Sequence, residues 1–335
     1  MAGKRVVVTQ RFFDEASVKA LENAGHSVEI AALPAGRGDG DLSHDELVAL
    51  LTGAAAWIVG HARVTAELQA ALPALEIISR RGVGYDRVDL AAARRLGKVV
   101  CIAAGGNDAS VADHTIGLML AVSRRFRESQ NNMMAGNWSI LMGNDLFQKS
   151  VGVIGLGRIG RSLVQRLRGF EARVLAFGGR ADPAYEQGAG VVRTDLETLL
   201  ANSDFVSLHA PLTQETRFII DAKALALMKP GAFLINAARG GLVDDRALLD
   251  ALKSGHLGGA GLDTFESEAN PELKAVTEEL IARPNVIATP HSAASSREGL
   301  DRTNMVASLC VIDVLAGRRP PAQCIVADGR PGQQA

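Results

Sequence analysis

The chain has 335 residues, of which 47% are hydrophobic and 22% are charged, and its formal net charge is −1 at pH 7. This length and apolar content predict two domains with large cores, and the near-neutral charge excludes the basic surface typical of nucleic-acid-binding proteins. The first apolar run is too short for a signal peptide, and no segment approaches the roughly 20 apolar residues of a membrane span. The three cysteines are widely spaced. These features predict a cytoplasmic protein without disulfides or membrane contacts.

Short apolar runs alternate with helical patterns along the whole chain, which predicts βαβ units and parallel sheets. In the first third of the chain, strands are predicted at 5–9, 27–30, 56–59, 75–78 and 99–102. One long helix is predicted over 110–134. A second series of strands follows at 150–155, 173–177, 205–208, 232–235, 259–262 and 286–288. A last helix is predicted from 296 toward 316, and an irregular tail after it.

A glycine pattern stands between the strand at 150–155 and the helix predicted after it. Gly155, Gly157 and Gly160 have the spacing G-x-G-x-x-G in its required strand–turn–helix context. The first glycine allows a tight turn, the second lets a pyrophosphate approach the backbone, and the third allows close packing of helix on strand. The pattern predicts dinucleotide binding at the start of the helix, and the alternative is a glycine-rich turn without a ligand.

The end of the next strand bears on the choice of cofactor. An NAD site usually has an acidic residue about 20 residues past the glycines, which binds the ribose hydroxyls. Here the strand at 173–177 is followed by Gly178, Gly179 and Arg180, and Asp182 comes two residues beyond the arginine. An arginine at this point can bind a 2′-phosphate. NADP is therefore predicted as the preferred cofactor, with NAD as the alternative and a solvated loop arginine as the other interpretation of Arg180.

Three polar residues lie at or just beyond the ends of predicted strands in the second half of the chain. They are Arg239, Glu268 and His291. Because ligands of open parallel sheets bind at the carboxyl ends of the strands, these side chains are expected to converge there. Glu266 lies in the same loop as Glu268 and is its rival for a role in catalysis.

The chain resembles the D-isomer-specific 2-hydroxyacid dehydrogenase family over nearly its whole length. The resemblance rests on the glycine pattern, on the motifs around Arg239, Glu268 and His291, and on the segments GVGYD at 82–86, SVADHT at 110–115 and LHAPLT at 208–213. It implies an α/β protein in which a Rossmann nucleotide-binding domain, 106–293, is inserted in a flavodoxin-like substrate domain, 1–105 and 294–335. Both domains would be doubly wound parallel sheets. The helix at 110–134 would form a homodimer, although its apolar face is equally consistent with ordinary core.

The resemblance also implies roles for individual residues. Arg239 would bind the substrate carboxylate and polarise the keto oxygen, as suits a guanidinium fork. His291 would be the general acid for reduction and the base for oxidation, and Glu268 would orient it and favour its charged form. The implied cofactor-binding residues are Gly155, Gly157, Arg158, Ile159, Gly160, Gly178, Arg180, His209, Pro211, Ala237 and Asp263. The implied substrate-binding residues are Arg80, Val83 and Gly84.

The sequence departs from the family pattern at two positions. Ala269 replaces the proline that usually follows the catalytic glutamate, and Asp113 replaces a glutamate in the 110–115 segment. Neither change removes a catalytic group. No His, Cys and Asp grouping has zinc-ligand spacing, so no metal is expected.

The implied activity is hydride transfer between NAD(P)H and a small anionic 2-keto or D-2-hydroxy acid of the phosphoglycerate, hydroxypyruvate or glyoxylate type. Arg80 is the candidate partner of a second anionic group on the substrate, and its alternative is a strand-end arginine whose stem packs on apolar surface. Two other functions share the scaffold: phosphite dehydrogenation, and dinucleotide sensing by corepressor-like binding proteins.

Two further groups are predicted to have no part in the site. No candidate site residue is expected to lie beside any of the following histidines: His26, His44, His114 and His256. The arginine run at 124–127 is predicted to be a solvated helix end. His61 precedes a helix near the possible substrate loop, and its role stays open.

Overall fold

The chain divides into a discontinuous unit, Met1–Asn107 with Ser295–Ala335, and a central unit, Asp108–Ala294. The computed structural model describes residues 3–332. Residues 1–2 and 333–335, which the sequence assigns to the substrate domain, lie outside the described residues. Among residues 3–332, no helix is both long enough and apolar enough to cross a membrane.

The described strands and helices follow one another in chain order. The strands are β1 Arg5–Val8, β2 Ser27–Ile30, β3 Ala56–Val59, β4 Ile77–Arg80, β5 Val99–Ile102, β6 Ser150–Ile154, β7 Arg173–Phe177, β8 Val191–Arg193, β9 Phe205–Leu208, β10 Phe233–Asn236, β11 Gly259–Leu262, β12 Val286–Ala288 and β13 Ile325–Asp328. The helices are α1 Glu15–Asn23, α2 His44–Leu51, α3 Ala66–Ala71, α4 Leu90–Arg95, α5 Asp108–Ser123, α6 Phe126–Met134, α7 Arg158–Leu167, α8 Pro183–Ala189, α9 Leu196–Asn202, α10 Ala222–Leu227, α11 Asp245–Lys253, α12 Lys274–Ala282 and α13 Arg297–Leu315.

Each unit is built on one sheet. The discontinuous unit has the order β13-β5-β4-β3-β1-β2, which is the flavodoxin-like order with an added strand, β13, that pairs antiparallel with β5. The central unit has the order β12-β11-β10-β9-β6-β7-β8, and all its strand pairs are parallel. This is the Rossmann order with one more strand at the edge. The predicted fold class, two doubly wound α/β sheets, is confirmed.

Apolar runs rather than alternating patterns form the central strands, because helices cover both faces of each sheet. In β9, Val206 and Leu208 pack into one apolar cluster, while Phe205 packs into the cluster on the other face. The Phe205 and Phe233 rings stack there with their centroids 5.0 Å apart. Because the strands themselves are apolar, the candidate site residues lie in the loops at the strand ends.

The helix predicted over 110–134 is wrong in one respect, since two helices occupy this stretch. Helix α5 ends at Ser123, and Arg125 has φ +55°, a left-handed conformation that stops the helical hydrogen-bond ladder before α6 begins. Arg125 pairs with Glu128, with 2.6 Å between Nε and Oε2. Arg127 donates from Nη1 to three backbone carbonyl oxygens, among them that of Val286 at 3.1 Å. Arg125 and Arg127 are therefore structural residues between the two helices, whereas Arg124 is exposed at the end of α5 as predicted.

The tail predicted to be irregular contains β13. Residues Ile325–Asp328 pair with the edge of the sheet at β5, with a register shift between Ile325 and Ala327. A four-residue strand after a proline pair gives little periodic signal, and its pairing partner lies more than 200 residues earlier in the chain. Strand β4 also starts and ends two residues later than predicted, which makes Arg80 its last residue.

Candidate active site

The glycine turn after β6 is shaped by close backbone contacts. Gly155 has φ +100°, and a Cβ there would lie 2.6 Å from the carbonyl carbon of His209. A Cβ at Gly160 would lie 2.3 Å from the carbonyl oxygen of Gly155. A Cβ at Gly157, by contrast, would meet no atom within 4 Å. Gly155 and Gly160 are therefore required by packing, whereas Gly157 borders open space through which a ligand can approach.

Helix α7 begins at this turn and gives it the chemistry of a phosphate site. Gly157 is the N-cap residue, and Arg158 and Ile159 are the first residues of the helix. The first N–H groups of a helix lack partners within the helix, and its N-terminus carries a partial positive charge. A pyrophosphate fits these donors and this charge, so the turn suits a dinucleotide cofactor.

The turn after β7 positions Arg180. Gly178 and Gly179 both have φ +73°, and Arg193 donates from Nη1 to the Gly178 carbonyl oxygen at 3.0 Å. Arg193 is itself paired with Glu186 at 2.6 Å. The side chain of Arg180 is exposed beyond this turn. The ion pair of Arg193 and Glu186 thus stabilises the turn, while Arg180 remains on the surface.

Asp182, the acidic residue nearest to this turn in sequence, already has structural partners. Its side chain caps α8 by accepting a hydrogen bond from the Tyr185 backbone N–H, and its Oδ2 lies 2.9 Å from a guanidinium nitrogen of Arg161. These two interactions hold the pKa of Asp182 below its usual value. The Asp182 carboxylate therefore binds the start of α8 and Arg161.

His209, Pro211 and Ala237 lie just after strands β9 and β10. The Nε2 atom of His209 is 2.8 Å from Ser207 Oγ, and Nδ1 is buried without a hydrogen-bond partner among residues 3–332. Burial lowers the pKa of His209 to about 4, so the ring is neutral at pH 7. His209 is therefore a neutral imidazole held by Ser207 at the end of β9.

His291 and Glu268 form the central pair of the site. His291 Nδ1 lies 2.7 Å from Glu268 Oε2, and the side chains are 34% and 33% exposed. The other carboxylate oxygen of Glu268, Oε1, accepts from the Phe265 N–H at 2.9 Å. Because both oxygens of Glu268 have a fixed donor, the carboxylate orients the imidazole through Nδ1 and leaves Nε2 as the ring nitrogen for chemistry.

Asp263 at the end of β11 holds the loop that carries His291. Its buried carboxylate accepts hydrogen bonds from Thr289 Oγ1 at 2.6 Å, from the Ser292 N–H at 2.8 Å and from the Ala293 N–H at 2.9 Å. His291 has φ +51°, and its N–H donates to the Asp263 carbonyl oxygen at 2.8 Å. Asp263 thus fixes the strained turn on which His291 lies.

His114 joins this network, so the expectation that it has no convergent partner is wrong. Its Nε2 atom is 3.0 Å from Thr289 Oγ1 and 3.5 Å from Asp263 Oδ1. Since the one hydroxyl proton of Thr289 is donated to Asp263, the hydrogen bond to His114 requires a proton on His114 Nε2. No local sequence pattern indicates this contact, because His114 lies on α5 and its partners lie more than 140 residues later.

Arg239 follows β10 in a turn closed by the Asn236 side chain. Asn236 Nδ2 donates to the Arg239 carbonyl oxygen at 2.9 Å, and the half-buried guanidinium donates from Nη1 to the Ala238 carbonyl oxygen at 2.7 Å. A Cβ at Gly240 would lie 2.0 Å from the Phe265 carbonyl oxygen. The turn of Arg239 therefore packs directly on the loop of Glu268.

Glu266, the rival of Glu268, has a different partner. Its Oε1 atom lies 3.1 Å from Arg217 Nη2, and its N–H donates to Asp245 Oδ2 at 2.9 Å. Burial raises the pKa of Asp245 to about 6, and the nearby carboxylates of Glu266, Asp244 and Glu268 add to this. Asp245, which the sequence did not single out, is thus a buried acid that anchors the 266–268 turn.

The residues assigned to the substrate lie in the discontinuous unit. Val83 and Gly84 are in the turn after β4 and are partly exposed, whereas Arg80, 8% exposed, is buried at the end of that strand. Among residues 3–332, no group of three or more His, Cys, Asp or Glu side chains is placed to hold a metal ion.

Comparison with known proteins gives matches over both units. Residues 116–293 match the family model described as D-isomer specific 2-hydroxyacid dehydrogenase, NAD binding domain. The D-3-phosphoglycerate dehydrogenase of Mycobacterium tuberculosis is 41% identical over 288 residues, which are 85% of this chain and 54% of that protein. The chain thus spans about half the length of the phosphoglycerate dehydrogenases that it matches.

Two other matches cover most of both chains. The glyoxylate reductase of Thermococcus litoralis is 37% identical over 286 residues, 83% of this chain and 82% of that protein. The crystal structure of D-lactate dehydrogenase from Aquifex aeolicus, complexed with NAD and lactic acid, has a TM-score of 0.81 at 30% identity. The match covers 96% of this chain and 98% of that one.

The second and third glycines of the turn are expected to respond differently to alanine. Gly160→Ala forces a Cβ against the Gly155 carbonyl oxygen and should lower the stability of the central unit by about 1–3 kcal/mol. Gly157→Ala should change stability by less than about 1 kcal/mol but weaken NAD(P) binding at least about tenfold, because its Cβ occupies the side of approach. Calorimetric unfolding and cofactor titration measure the two effects. Equal cofactor affinity for Gly157→Ala and the wild type would contradict a phosphate site here.

Asp245 makes the stability of the protein depend on pH. Because its pKa in the folded protein is raised to about 6, its favourable contribution is present below pH 4 and is lost as the pH rises through 6. Asp245→Asn keeps an acceptor for the Glu266 N–H and should be more stable than the wild type at pH 8 by about 1–3 kcal/mol. This difference should vanish near pH 4.

Calorimetry of Asp245→Asn at pH 4, 6 and 8 measures this effect. Asp244→Asn is the matched control, because it keeps an N-cap acceptor for α11 and removes the same charge one residue earlier. A variant Asp245→Asn that is no more stable than the wild type at pH 8 would contradict the buried-acid assignment.

Proposed function

Because the chain belongs to the D-isomer specific 2-hydroxyacid dehydrogenase family, we propose that it is an NAD(P)-dependent dehydrogenase of small D-2-hydroxy acids. It would transfer a hydride between the cofactor and a 2-keto or D-2-hydroxy acid. The observation that carries the proposal is the 2.7 Å contact between His291 Nδ1 and Glu268 Oε2, in the same unit as a glycine turn that suits a dinucleotide. The absorbance change of NAD(P)H with glyoxylate, hydroxypyruvate, phosphohydroxypyruvate and pyruvate tests it.

The chain's own groups supply binding and proton transfer. The guanidinium of Arg239 binds the substrate carboxylate and draws electron density from the keto oxygen. His291 Nε2 donates its proton to that oxygen in reduction and takes it back in oxidation, while Glu268 stabilises the imidazolium through Nδ1. The cofactor, when bound, supplies or accepts the hydride. Keto acid, hydride and one proton together give the hydroxy acid.

NADP is the cofactor that we propose for preferential use, although NAD is the cofactor named for the family domain. Three observations support this choice. Arg180 is exposed after two glycines, no acid occupies the end of β7, and Asp182 is engaged by Arg161 and by the start of α8. A 2′-phosphate would find a cation and no carboxylate in this turn.

A homodimer is the assembly that we propose. The segment after α6 exposes large apolar side chains, with Trp138 76%, Ile140 97% and Met142 88% exposed. Clusters of this kind mark interaction surfaces. Helix α5, for which the family resemblance implies a dimer contact, packs much of its apolar surface into the core of the central unit. The proposed contact therefore involves α6 and residues 135–147, and a second copy of the chain is the partner.

The catalytic assignment is tested with paired variants. His291→Ala and Arg239→Ala should each lower kcat by about 10²- to 10⁴-fold, while cofactor binding stays near that of the wild type. Glu268→Gln should lower kcat as well, because the amide no longer balances the imidazolium. Glu266→Gln is the matched control and should stay within a few-fold of the wild type. Near-normal turnover by His291→Ala with every active keto acid would reject the mechanism.

The cofactor proposal predicts a higher kcat/KM with NADPH than with NADH. A charge-assisted contact of about 1.5–3 kcal/mol between Arg180 and the 2′-phosphate corresponds to a preference of about 10- to 150-fold. Arg180→Ala should abolish most of this preference. Arg173→Ala removes the same charge at the opposite end of β7 and should leave the ratio unchanged. A preference of the wild type for NADH would overturn the proposal.

A further inference from the structure

A cavity of about 440 Å³ opens in the discontinuous unit. It lies at the carboxyl ends of β1, β3 and β4 and beside the first turn of α13. Its lining includes the guanidinium-bearing residues Arg11, Arg81 and Arg297. Its volume is in the range of small-molecule sites, and the carboxyl ends of parallel strands are where such sites form.

The cavity has a fixed polar floor formed by Asp39, which is 2% exposed. Its Oδ2 atom accepts hydrogen bonds from Thr9 Oγ1 at 3.0 Å, Gln10 Nε2 at 2.6 Å and the Gly60 N–H at 2.7 Å. Its Oδ1 atom accepts from the His61 N–H at 2.9 Å. With four donors from two strand-end loops, the carboxylate is fully used in holding these loops together. Asp39 therefore builds the site and does not itself offer a ligand position.

Arg81 lines this cavity and also holds the loop after β1. Its Nη1 atom donates to the Arg11 carbonyl oxygen at 2.8 Å, whereas its Nε atom is buried and has no hydrogen-bond partner among residues 3–332. Burial lowers the pKa of Arg81, and the charge of Asp39 acts in the opposite direction. A guanidinium remains protonated in proteins, so a buried N–H of a charged group lacks an acceptor here.

The charge of the lining favours an anion. Arg11 and Arg297 are exposed at the cavity, and the acids that line it are Asp39, whose oxygens are all engaged, and the exposed Asp301. The N-terminus of the 19-residue helix α13 adds a partial positive charge at the same side. Arg80, the residue that the sequence favours as the partner of a second anionic group, is buried at the end of β4 and is not among the lining residues.

We propose that this cavity binds the phosphate, sulfonate or carboxylate group of a small molecule, with Arg81, Arg297 and Arg11 as the donors. The anionic group belongs to a separate small molecule or is a free anion such as inorganic phosphate. Binding itself does not depend on the proposed dehydrogenase activity. The shared requirement is an acceptor with several oxygens that can meet more than one guanidinium.

The first experiment measures binding of inorganic phosphate to the full chain by calorimetry, with the nucleotide site saturated by NADP⁺ or NAD⁺. Arg297→Met changes an exposed residue and should weaken phosphate binding about tenfold or more. Arg81→Met should weaken it at least as much. Arg95→Met removes an exposed arginine of α4 that does not line the cavity, and it should bind phosphate like the wild type. Equal affinity of Arg297→Met and the wild type, or no binding of phosphate at millimolar concentrations, would overturn the proposal.

In a second experiment, phosphate should change glyoxylate turnover by the wild type and not by Arg297→Met. An equal effect of phosphate on both proteins would show that it acts elsewhere and would contradict the proposal. A chain without reductase activity would refute the proposed function, while its phosphate affinity would still decide whether the cavity is an anion site.

Discussion

The buried carboxylate of Asp263 is the group on which the geometry of the site depends. It accepts three hydrogen bonds from residues 289–293, and its own backbone carbonyl accepts the N–H of His291. A non-glycine residue with positive φ persists only where its surroundings impose it. The hydrogen bonds of Asp263 impose the positive φ of His291, and this backbone conformation sets the direction of the His291 ring. His114 adds a further donor to the same network, so a helix far away in sequence contributes to this alignment.

Several acidic residues gather around the loop after β11, and their neighbours give each a different task. Glu268 faces His291, Glu266 faces Arg217, and Asp245 accepts the Glu266 backbone N–H and is buried. Glu268 can stabilise the charged form of the His291 imidazole because the two side chains are in contact. Glu266 contacts Arg217 instead, so the partner of each glutamate decides its role. The close approach of Gly240 to the Phe265 carbonyl oxygen then ties this loop to the turn of Arg239.

The sequence predicted the fold class and singled out the candidate site residues because both inferences rest on short local patterns. Apolar runs between helical segments indicate parallel strands, and strand ends mark where Arg239, Glu268 and His291 lie. What it could not predict depends on contacts between distant segments. The left-handed Arg125, the pairing of β13 with β5 and the hydrogen bond from His114 to Thr289 have no periodic signature. The burial of Asp245 and the place of Arg81 in a cavity wall likewise depend on packing, since an acid at a helix start and an arginine after a strand are ordinarily exposed.

The path of the chain through the discontinuous unit has a consequence for biosynthesis. The sheet of this unit is completed by β13, and one of its apolar clusters is closed by residues of α13, such as Val311, and by Cys324. On the ribosome, residues 3–107 emerge first but must wait for about 190 further residues before these partners exist. Until then the edge of β5 and the apolar side chains that α13 covers are open to other chains. Closure of this unit therefore depends on α13 and β13, which are translated only after the whole of the central unit.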